Sequence, residues 1–252
     1  PCRKHIYHSM RHHLVVNNRI RDYLAKLVVN PEALSSYSKT SIGNLTRLAD
    51  PNNPYKMIVI TDEAFVPLFG DYLDWRTNQG ISSGIFSTQM IYSLFPGIDN
   101  QEKIRNFIIE AYQAYSNTDS PLEYVIIGGD DAIVPVRGMY CFVQGIWQEY
   151  VDYNIPSDVY YSHLDGNWDA NGNQIFGELD DGIDWFSEVS VGRIPATSEQ
   201  EFLNMFEKTM HYVENPSFSN DIALMIGQNL DEITWGGDYK NEIIPILPEN
   251  FQ

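Results

Sequence analysis

The chain has 252 residues, a formal net charge of −18 and a hydrophobic fraction of 43%, which suits one large domain or two modest ones. Its longest apolar runs, about five residues, are far shorter than the roughly 20 residues that span a bilayer, and no segment has the regions of a signal peptide. The acidity argues against binding to nucleic acid or anionic lipid, and it favours a secreted or surface protein that attracts cations or basic peptides. Because residue 1 is Pro1 rather than Met, we expect the true N-terminus, with any leader, to lie outside this sequence.

The first segment, residues 1–53, is predicted to be a linker or extended segment. It contains four of the six histidines: His5, His8, His12 and His13. Because these residues lie outside any periodic element, a solvated tail is a better interpretation than a metal site.

Strand and helix patterns alternate from Pro54 onwards. Met57–Thr61 is a short run of apolar and β-branched residues, typical of a buried parallel strand. Apolar residues then recur at helical spacing from Phe65 towards Gly80, which predicts a helix and its end. A second, weaker strand follows over 81–86, and Asp99 or Asn100 is the expected cap of the next helix.

The alternation continues to the end of the chain. The remaining predicted elements are strands over 124–127, 189–194 and 222–226, a helix from Ser198 with a capping box to Glu201, and a helix from Asp238 towards Leu247. This rhythm predicts an α/β fold with a doubly wound, mainly parallel sheet flanked by helices.

Ligands of an open α/β sheet bind at the carboxyl ends of its strands, and the first candidate there is Gly128-Gly129-Asp130-Asp131. These residues are similar to the turn on which nucleotide cyclases hold metal and phosphate. On that interpretation Asp130 and Asp131 would support metal-dependent phosphoryl transfer. Those enzymes set the turn in a hairpin, whereas this one follows a parallel strand. A tight turn with capping carboxylates is therefore the stronger interpretation.

The second candidate is the loop from Asp165 to Glu178, in which side chains with oxygen atoms alternate with other residues. Ca²⁺ takes six to eight oxygens from a flexible loop of this kind. The predicted ligands are Asp165, Asn167, Asp169, Asn171, Asn173 and Glu178. A polar Asn-Gly turn without metal is the alternative.

The third candidate follows the predicted strand over 222–226 and contains Asp231, Glu232 and Asp238. Such acids can orient a catalytic histidine or receive a cationic substrate group, and the alternative is a helix cap by Asp238 with the other two in solvent. The chain holds no Gly-x-Ser-x-Gly, Walker or His-Glu-x-x-His motif. A dyad of Cys141 and His163 is conceivable but disfavoured.

Several short segments, taken in order, form a more specific pattern. They are Asn30–Ala33, Met57–Thr61, Trp75 with Gly80, Gly97–Asn100 leading into Ile104–Phe107, Tyr124–Asp130 with Val134-Pro135, Ser157–Tyr161, the loop over 165–178, Trp185 with Val191–Arg193, and Thr234–Tyr239. Together they make the chain from about Val28 onwards resemble the catalytic domain of gingipain-type cysteine peptidases.

The resemblance implies a caspase-like α/β architecture with two side-by-side subdomains. The first would occupy residues 54–217 and the start of an incomplete second one residues 218–252. It also implies peptide hydrolysis by a Cys thiolate with a His base, and that pair would fall beyond Gln252, so this fragment alone is expected to be inactive.

The resemblance further assigns roles to the third candidate segment. Glu232 or Asp231 would orient the His, and Asp238, followed by Glu242, would receive a basic substrate side chain. Calcium would stabilise the scaffold through the loop over 165–178.

We therefore expect the N-terminal part of an exported, secreted or cell-surface cysteine endopeptidase. The expected partners are a protein or peptide substrate and the remainder of the same polypeptide or a processed second chain, with no nucleic acid and no membrane span. The alternative is a non-catalytic surface or interaction module on the same scaffold.

Overall fold

The computed structural model describes residues 48–145, 148–183, 185–215 and 236–247. The strands are β1 (Met57–Thr61), β2 (Ser83–Ser87), β3 (Tyr124–Gly128), β4 (Arg137–Gln144), β5 (Glu149–Ser157) and β6 (Ser190–Ile194). The α-helices are α1 (Gly70–Asn78), α2 (Thr88–Leu94), α3 (Asn100–Tyr115), α4 (Val159–Ser162), α5 (Glu199–Glu214) and α6 (Gly236–Ile243), and short 3-10 helices lie at Val66–Phe69, Leu179–Asp181 and Ile244–Ile246.

The main sheet has parallel strands in the order β2-β1-β3-β6. β1 lies between β2 and β3, with Met57 level with Ser83 on one side and with Tyr124 on the other. Every β1 residue is buried, because a central parallel strand is covered on both faces. The apolar run at 57–61 is thus a central strand.

Helical segments cover both faces of this sheet. On one face, Ile60 and Ile127 belong to a buried cluster that includes side chains of α2 and α3. On the other face, Phe69 comes so close that a Cβ on Gly128 would lie 2.7 Å from its ring. Phe69 also packs against Phe202 of α5, with ring centroids 5.4 Å apart. The predicted doubly wound α/β sheet is confirmed.

The start of α3 links the helix to β4. The Asp99 carboxylate accepts the N–H of Glu102 at 2.9 Å, which confirms the expected cap, and it also pairs with Arg137 at 2.7 and 2.8 Å. Arg137 is 5% exposed and lies 3.9 Å over the Phe176 ring. Partial burial alone would raise the pKa of Asp99, but the hydrogen bonds from Arg137 and Glu102 lower it from its ordinary 3.8.

β4 and β5 form a separate two-stranded sheet that the sequence patterns did not predict. Only residues 145–148 separate the two strands, so they are antiparallel neighbours, since parallel strands need a longer crossover. Most of β5 is exposed. It therefore lacks the buried alternation by which strands are found in a sequence.

The helices of the later part of the chain begin close to where they were predicted. The Glu201 carboxylate accepts the N–H groups of Thr197 and Ser198 at 2.7 and 3.2 Å, as expected for the start of α5. α6 begins at Gly236, two residues before Asp238. The strand predicted over 222–226 lies outside the described residues.

The described residues fall into two compact units. One lies within Pro1–Cys141 and Tyr153–Asn204, and the other within Phe142–Asp152 and Met205–Gln252. The main sheet belongs to the first unit and α6 to the second. The boundaries predicted after residues 53 and 217 stay predictions. No helix in the described ranges is long and apolar enough to cross a membrane.

Candidate functional site

The strand order reverses between β1 and β3, where a doubly wound sheet usually opens a ligand crevice. There the Thr61 hydroxyl donates to the carbonyl of Gly128 at 2.6 Å. Phe69 covers Gly128 and, with Phe65, packs on Phe202, whose ring centroid lies 4.9 Å from that of Phe65. Phe69 and Phe202 are fully buried. Aromatic side chains therefore fill the place where a ligand crevice is expected.

The Gly128-Gly129 pair that follows β3 has a steric explanation. A side chain on Gly128 would meet Phe69, and Gly129 has a φ of 137° with the Ile133 side chain 2.5 Å from the place of a Cβ. The Asp130 carboxylate accepts the N–H of Ala132 at 3.0 Å. The turn thus uses its glycines and its first acid to hold its own shape, which favours the tight-turn interpretation over phosphate binding.

Arg193 of β6 fixes the same turn from its other side. Its guanidinium pairs with both carboxylate oxygens of Asp158 at 2.7 Å. It also donates to the carbonyls of Gly129 and Val134 at 2.7 and 2.8 Å. Asp158 and Arg193 belong to the landmark segments of the sequence, and their role here is to hold the scaffold together.

The predicted calcium loop is anchored at its start by Arg105 of α3. Arg105 is 4% exposed, and burial lowers the pKa of its guanidinium. It donates to the main-chain carbonyls of Tyr160, His163, Asp165 and Gly166 at 2.9 to 3.1 Å. The main-chain oxygens at the start of the loop are thus already bound by an arginine.

Asparagine side chains shape the rest of the loop. Asn167, Asn171 and Asn173 each accept, through Oδ1, the N–H two residues further on, at 3.1, 2.9 and 2.8 Å, and such turns fix the local backbone. The amide groups of Asn171 and Asn173 donate to Glu178 Oε2 at 3.2 and 2.6 Å. Three of the predicted ligands, Asn171, Asn173 and Glu178, are therefore neighbours.

Asp169 is the loop carboxylate with an unsatisfied atom. Its Oδ2 accepts the N–H of Gln174 at 3.1 Å, whereas its Oδ1 is buried without a hydrogen-bond partner. A buried carboxylate oxygen of this kind is unfavourable unless a cation or a donor reaches it, and a set of oxygen donors suits Ca²⁺. Among the described residues, no three His, Cys, Asp or Glu side chains form a metal-binding group. Further ligands would thus be amide or main-chain oxygens.

Asp181 holds the loop closed, and the sequence patterns did not identify it. It is 5% exposed, and its carboxylate accepts the N–H groups of Ala170, Gly177 and Glu178 at 3.0, 3.1 and 2.8 Å. A signal was available, because Glu178 and Asp181 have the spacing of a capping box, and both of its hydrogen bonds form.

The third candidate segment is described only in part. Asp238 is exposed in the first turn of α6, where a carboxylate is favoured by the helix dipole. Asp231 and Glu232 lie outside the described residues.

The disfavoured dyad of Cys141 and His163 does not form. Cys141 lies in β4 as a free thiol. The His163 Nδ1 atom lies 2.7 Å from Ser162 Oγ and 3.2 Å from the carbonyl of Val159, and no hydrogen bond joins the thiol to this ring within the described part of the chain.

Comparison with known proteins identifies the family. The model of peptidase family C25 matches residues 50–251. Gingipain R2 of Porphyromonas gingivalis (strain ATCC BAA-308 / W83) is 24% identical over 160 residues, which cover 64% of this chain and 17% of that protein. Gingipain R1 of Porphyromonas gingivalis is 24% identical over 173 residues, which cover 69% and 14%. The chain thus spans 17% or less of the length of these two relatives.

One solved structure supports a similarity of fold, and a second gives a weaker match. A structure described as "Structure of Protease" has a TM-score of 0.50 and 18% identity, and the match covers 74% of this chain and 35% of that one. The crystal structure of the Arg-specific cysteine proteinase gingipain R has a TM-score of 0.42 and 22% identity over 64% and 28% of the two chains.

Proposed function

The chain belongs to peptidase family C25, and from that premise we propose that the complete protein is an exported cysteine endopeptidase of the gingipain type. The observation that carries the proposal is the family match over residues 50–251. In this proposal a Cys thiolate attacks the scissile carbonyl and a His acts as the base. Both residues lie beyond Gln252, and the present chain supplies the scaffold and the supporting acids.

The surroundings of Cys141 support a nucleophile elsewhere. A reactive thiolate needs a cationic or imidazole neighbour and access to substrate. Cys141 is partly buried in β4, and the His163 ring is engaged with Ser162 and Val159.

The test combines the coding sequence past Gln252 with a peptidase assay of the complete protein. We expect a Gly-His-Gly motif followed by a strand-terminal Cys, and hydrolysis that disappears when this Cys is replaced by Ser. A coding sequence without either motif, together with no hydrolysis, would overturn the proposal in favour of the non-catalytic interaction module.

Two supporting roles form part of the proposal. Glu232 or Asp231 orients the catalytic His, and Asp238 receives a basic side chain of the substrate. We expect Asp238→Asn to raise KM for substrates with Arg or Lys before the scissile bond more than for uncharged ones. Of Glu232→Gln and Asp231→Asn, the one that shifts the acidic limb of the pH–rate profile identifies the positioning residue. Unchanged kinetics in all three variants would contradict both roles.

We also propose that the loop over 165–178 binds calcium as a structural ion. Asp169 and Glu178 would supply the carboxylates, and Asn171 and Asn173 the amide oxygens, which retain a free lone pair beside their turn hydrogen bonds. The buried, unpartnered Oδ1 of Asp169 is the observation that favours a cation. Asp165 and Asn167 remain candidate ligands.

Thermal unfolding of the chain with and without calcium tests this site. At a calcium concentration of about 100 times Kd, the expected stabilisation is about 2.7 kcal/mol, or roughly 5–10 °C in Tm. Asp169→Asn should abolish the shift, whereas the matched variant Asp180→Asn, altered at an exposed neighbouring acid, should keep it. A wild-type Tm that calcium and chelator leave unchanged would refute the calcium proposal without bearing on the peptidase.

Export and partners complete the proposal. The protein acts outside the cell or at its surface, on a protein or peptide, with the remainder of the polypeptide or a processed second chain completing the catalytic domain. Fractionation of producing cells checks the location. Intact-mass analysis of the purified protein shows whether one chain or two are present, and a protein confined to the cytoplasm would contradict the export.

A further inference from the structure

Charge is distributed unevenly along the chain. Residues 138–192 contain ten acidic residues and no lysine or arginine. Seven of these acids fall within 165–188: Asp165, Asp169, Glu178, Asp180, Asp181, Asp184 and Glu188. Residues 1–47, by contrast, carry eight of the sixteen lysines and arginines and only two acids. Two segments of opposite charge therefore coexist in one chain.

Internal contacts join the parts of the acidic segment, which we call the acidic lobe and define as the described residues of 164–188. The Asp181 carboxylate joins residue 170 to residues 177 and 178 by accepting their N–H groups. The rings of Trp168 and Trp185 meet edge to face at 6.1 Å, and the N–H of Leu164 donates to the Glu188 carboxylate at 2.5 Å. The lobe belongs wholly to the first unit.

Large apolar side chains stand exposed among these acids. Leu179 is 92% exposed and Trp185 is 70% exposed, and Asp180 beside Leu179 is exposed too. Exposed apolar patches that are rimmed by polar residues are typical of protein contact surfaces. Lysine and arginine fit it, because they pair with carboxylates and also stack on indole rings.

The described structure begins at Leu48, beside α3, the helix that also binds the start of this lobe. The N–H groups of Leu48 and Ala49 donate to the Glu110 carboxylate of α3 at 3.1 and 3.3 Å. Arg105 lies five positions earlier on the same helix, a rise of about 7.5 Å, and it holds the carbonyl of Asp165 at 3.1 Å. Leu48, the first described residue, is thus attached to the same helix whose Arg105 holds the start of the acidic lobe.

We propose that the basic segment, residues 1–47, docks on the acidic lobe of its own chain. The attachment at Leu48 makes the encounter intramolecular, so that weak surface ion pairs act at a high effective concentration. Docking covers Leu179 and Trp185 and neutralises part of the lobe's charge. Displacement of the segment by salt, or its removal, would expose an acidic and aromatic surface to other basic polypeptides.

Zero-length cross-linking of the full chain with a carbodiimide tests the proposal. The reagent joins a lysine amine to a carboxylate in contact with it, and the basic segment offers Lys4, Lys26 and Lys39. In the monomer fraction we expect links from these lysines to the acidic lobe, mapped by mass spectrometry after chymotrypsin digestion. In 1 M NaCl, where the Debye length is about 3 Å, the links should disappear.

Variants make the test specific. Asp180→Lys should reduce the links to the lobe by about two- to fivefold, as expected for one exposed ion pair. Asp71→Lys, an exposed acid of α1, is the matched control and should leave them unchanged. Circular dichroism of both variants verifies folding. Links spread equally over the acids of α1 and the lobe, or links found only between two molecules, would overturn the proposal.

Discussion

Replacement of Arg105 by Met removes the cation that anchors the candidate calcium loop. Arg105 is 4% exposed, and its guanidinium makes five hydrogen bonds to four main-chain carbonyls. Met has a similar length and no donors, so the change isolates the hydrogen bonds and the charge from the packing. We expect a loss of stability that begins at the loop.

The magnitude follows from what each carbonyl retains. The carbonyl of Tyr160, a residue 2% exposed, is left without its arginine donor, which costs about 1–3 kcal/mol. The His163 carbonyl keeps the Trp168 indole N–H at 3.3 Å, and those of Asp165 and Gly166 can be hydrated. Relief from burying a charge offsets part of the loss. The net decrease in the free energy of unfolding is therefore about 1–3 kcal/mol.

Urea unfolding followed by circular dichroism measures the decrease. Arg76→Met is the control, because the Arg76 guanidinium lies 5.0 Å over the Trp75 ring on α1, and its loss should cost less than about 1 kcal/mol. If the Arg105 variant loses no more unfolding free energy than this control, the hydrogen bonds from Arg105 do not anchor the loop.

Three further changes probe the cap, the sheet and the loop by chemical denaturation or hydrogen exchange. Asp99→Ala should lower the free energy of unfolding by about 2–3 kcal/mol. This is below the range for fully buried ion pairs, because the Asp99 side chain is 34% exposed. Asp99→Asn should cost about 1 kcal/mol less, because the helix cap survives. Because folding lowers the pKa of Asp99, the stability that its carboxylate contributes is present above pH 3.8 and is lost as the pH falls through the lowered pKa. A stability difference between wild type and Asp99→Asn that persists in strong acid would contradict this. Gly128→Ala places a Cβ 2.7 Å from an aromatic ring and should destabilise the fold by about 1–3 kcal/mol. The control Gly70→Ala, whose Cβ would have no atom within 4 Å, should be neutral or stabilising by up to about 1 kcal/mol. Equal effects of the two substitutions would refute the close-contact explanation. Asp181→Ala should speed exchange of the three loop amides that its carboxylate binds, and unchanged exchange would show that the loop closes without it.

The sequence predicted those elements whose signals are local. The run over 57–61 is apolar because a central parallel strand is buried on both faces. Asp99 and Glu201 mark helix starts because capping bonds span only a few residues. β5 escaped prediction because its exposed side chains have no buried partner to impose alternation.

The candidate loop shows the same division between local and distant contacts. Oxygen donors on Asn171, Asn173 and Glu178 were predicted to act together, and their amide–carboxylate hydrogen bonds span five to seven residues. Arg105 was not predicted to take part. Its hydrogen bonds to the loop and to the residues just before it join positions 55 to 61 residues apart in the sequence. No local periodicity records a contact of that separation, and only the packing of α3 on the segment after α4 reveals it.

The arginines of the first unit bear on both proposals, the calcium site and the docking of the basic segment. After residue 47 it has eight lysines and arginines, and three of them, Arg105, Arg137 and Arg193, bind carbonyls or carboxylates inside the first unit. Positive charge is thus used within the scaffold, whereas five of the six described acidic residues of the acidic lobe are exposed or partly exposed.

Calcium in the loop and the basic segment on the lobe would both answer that imbalance, but by interactions of different range. Chelation by oxygen ligands withstands monovalent salt, whereas docking between exposed charges is screened by it. Titration with NaCl should therefore release the segment while the calcium-dependent rise in Tm persists. If salt removed both effects together, the calcium would be part of a diffuse ion atmosphere and not a ligand of Asp169.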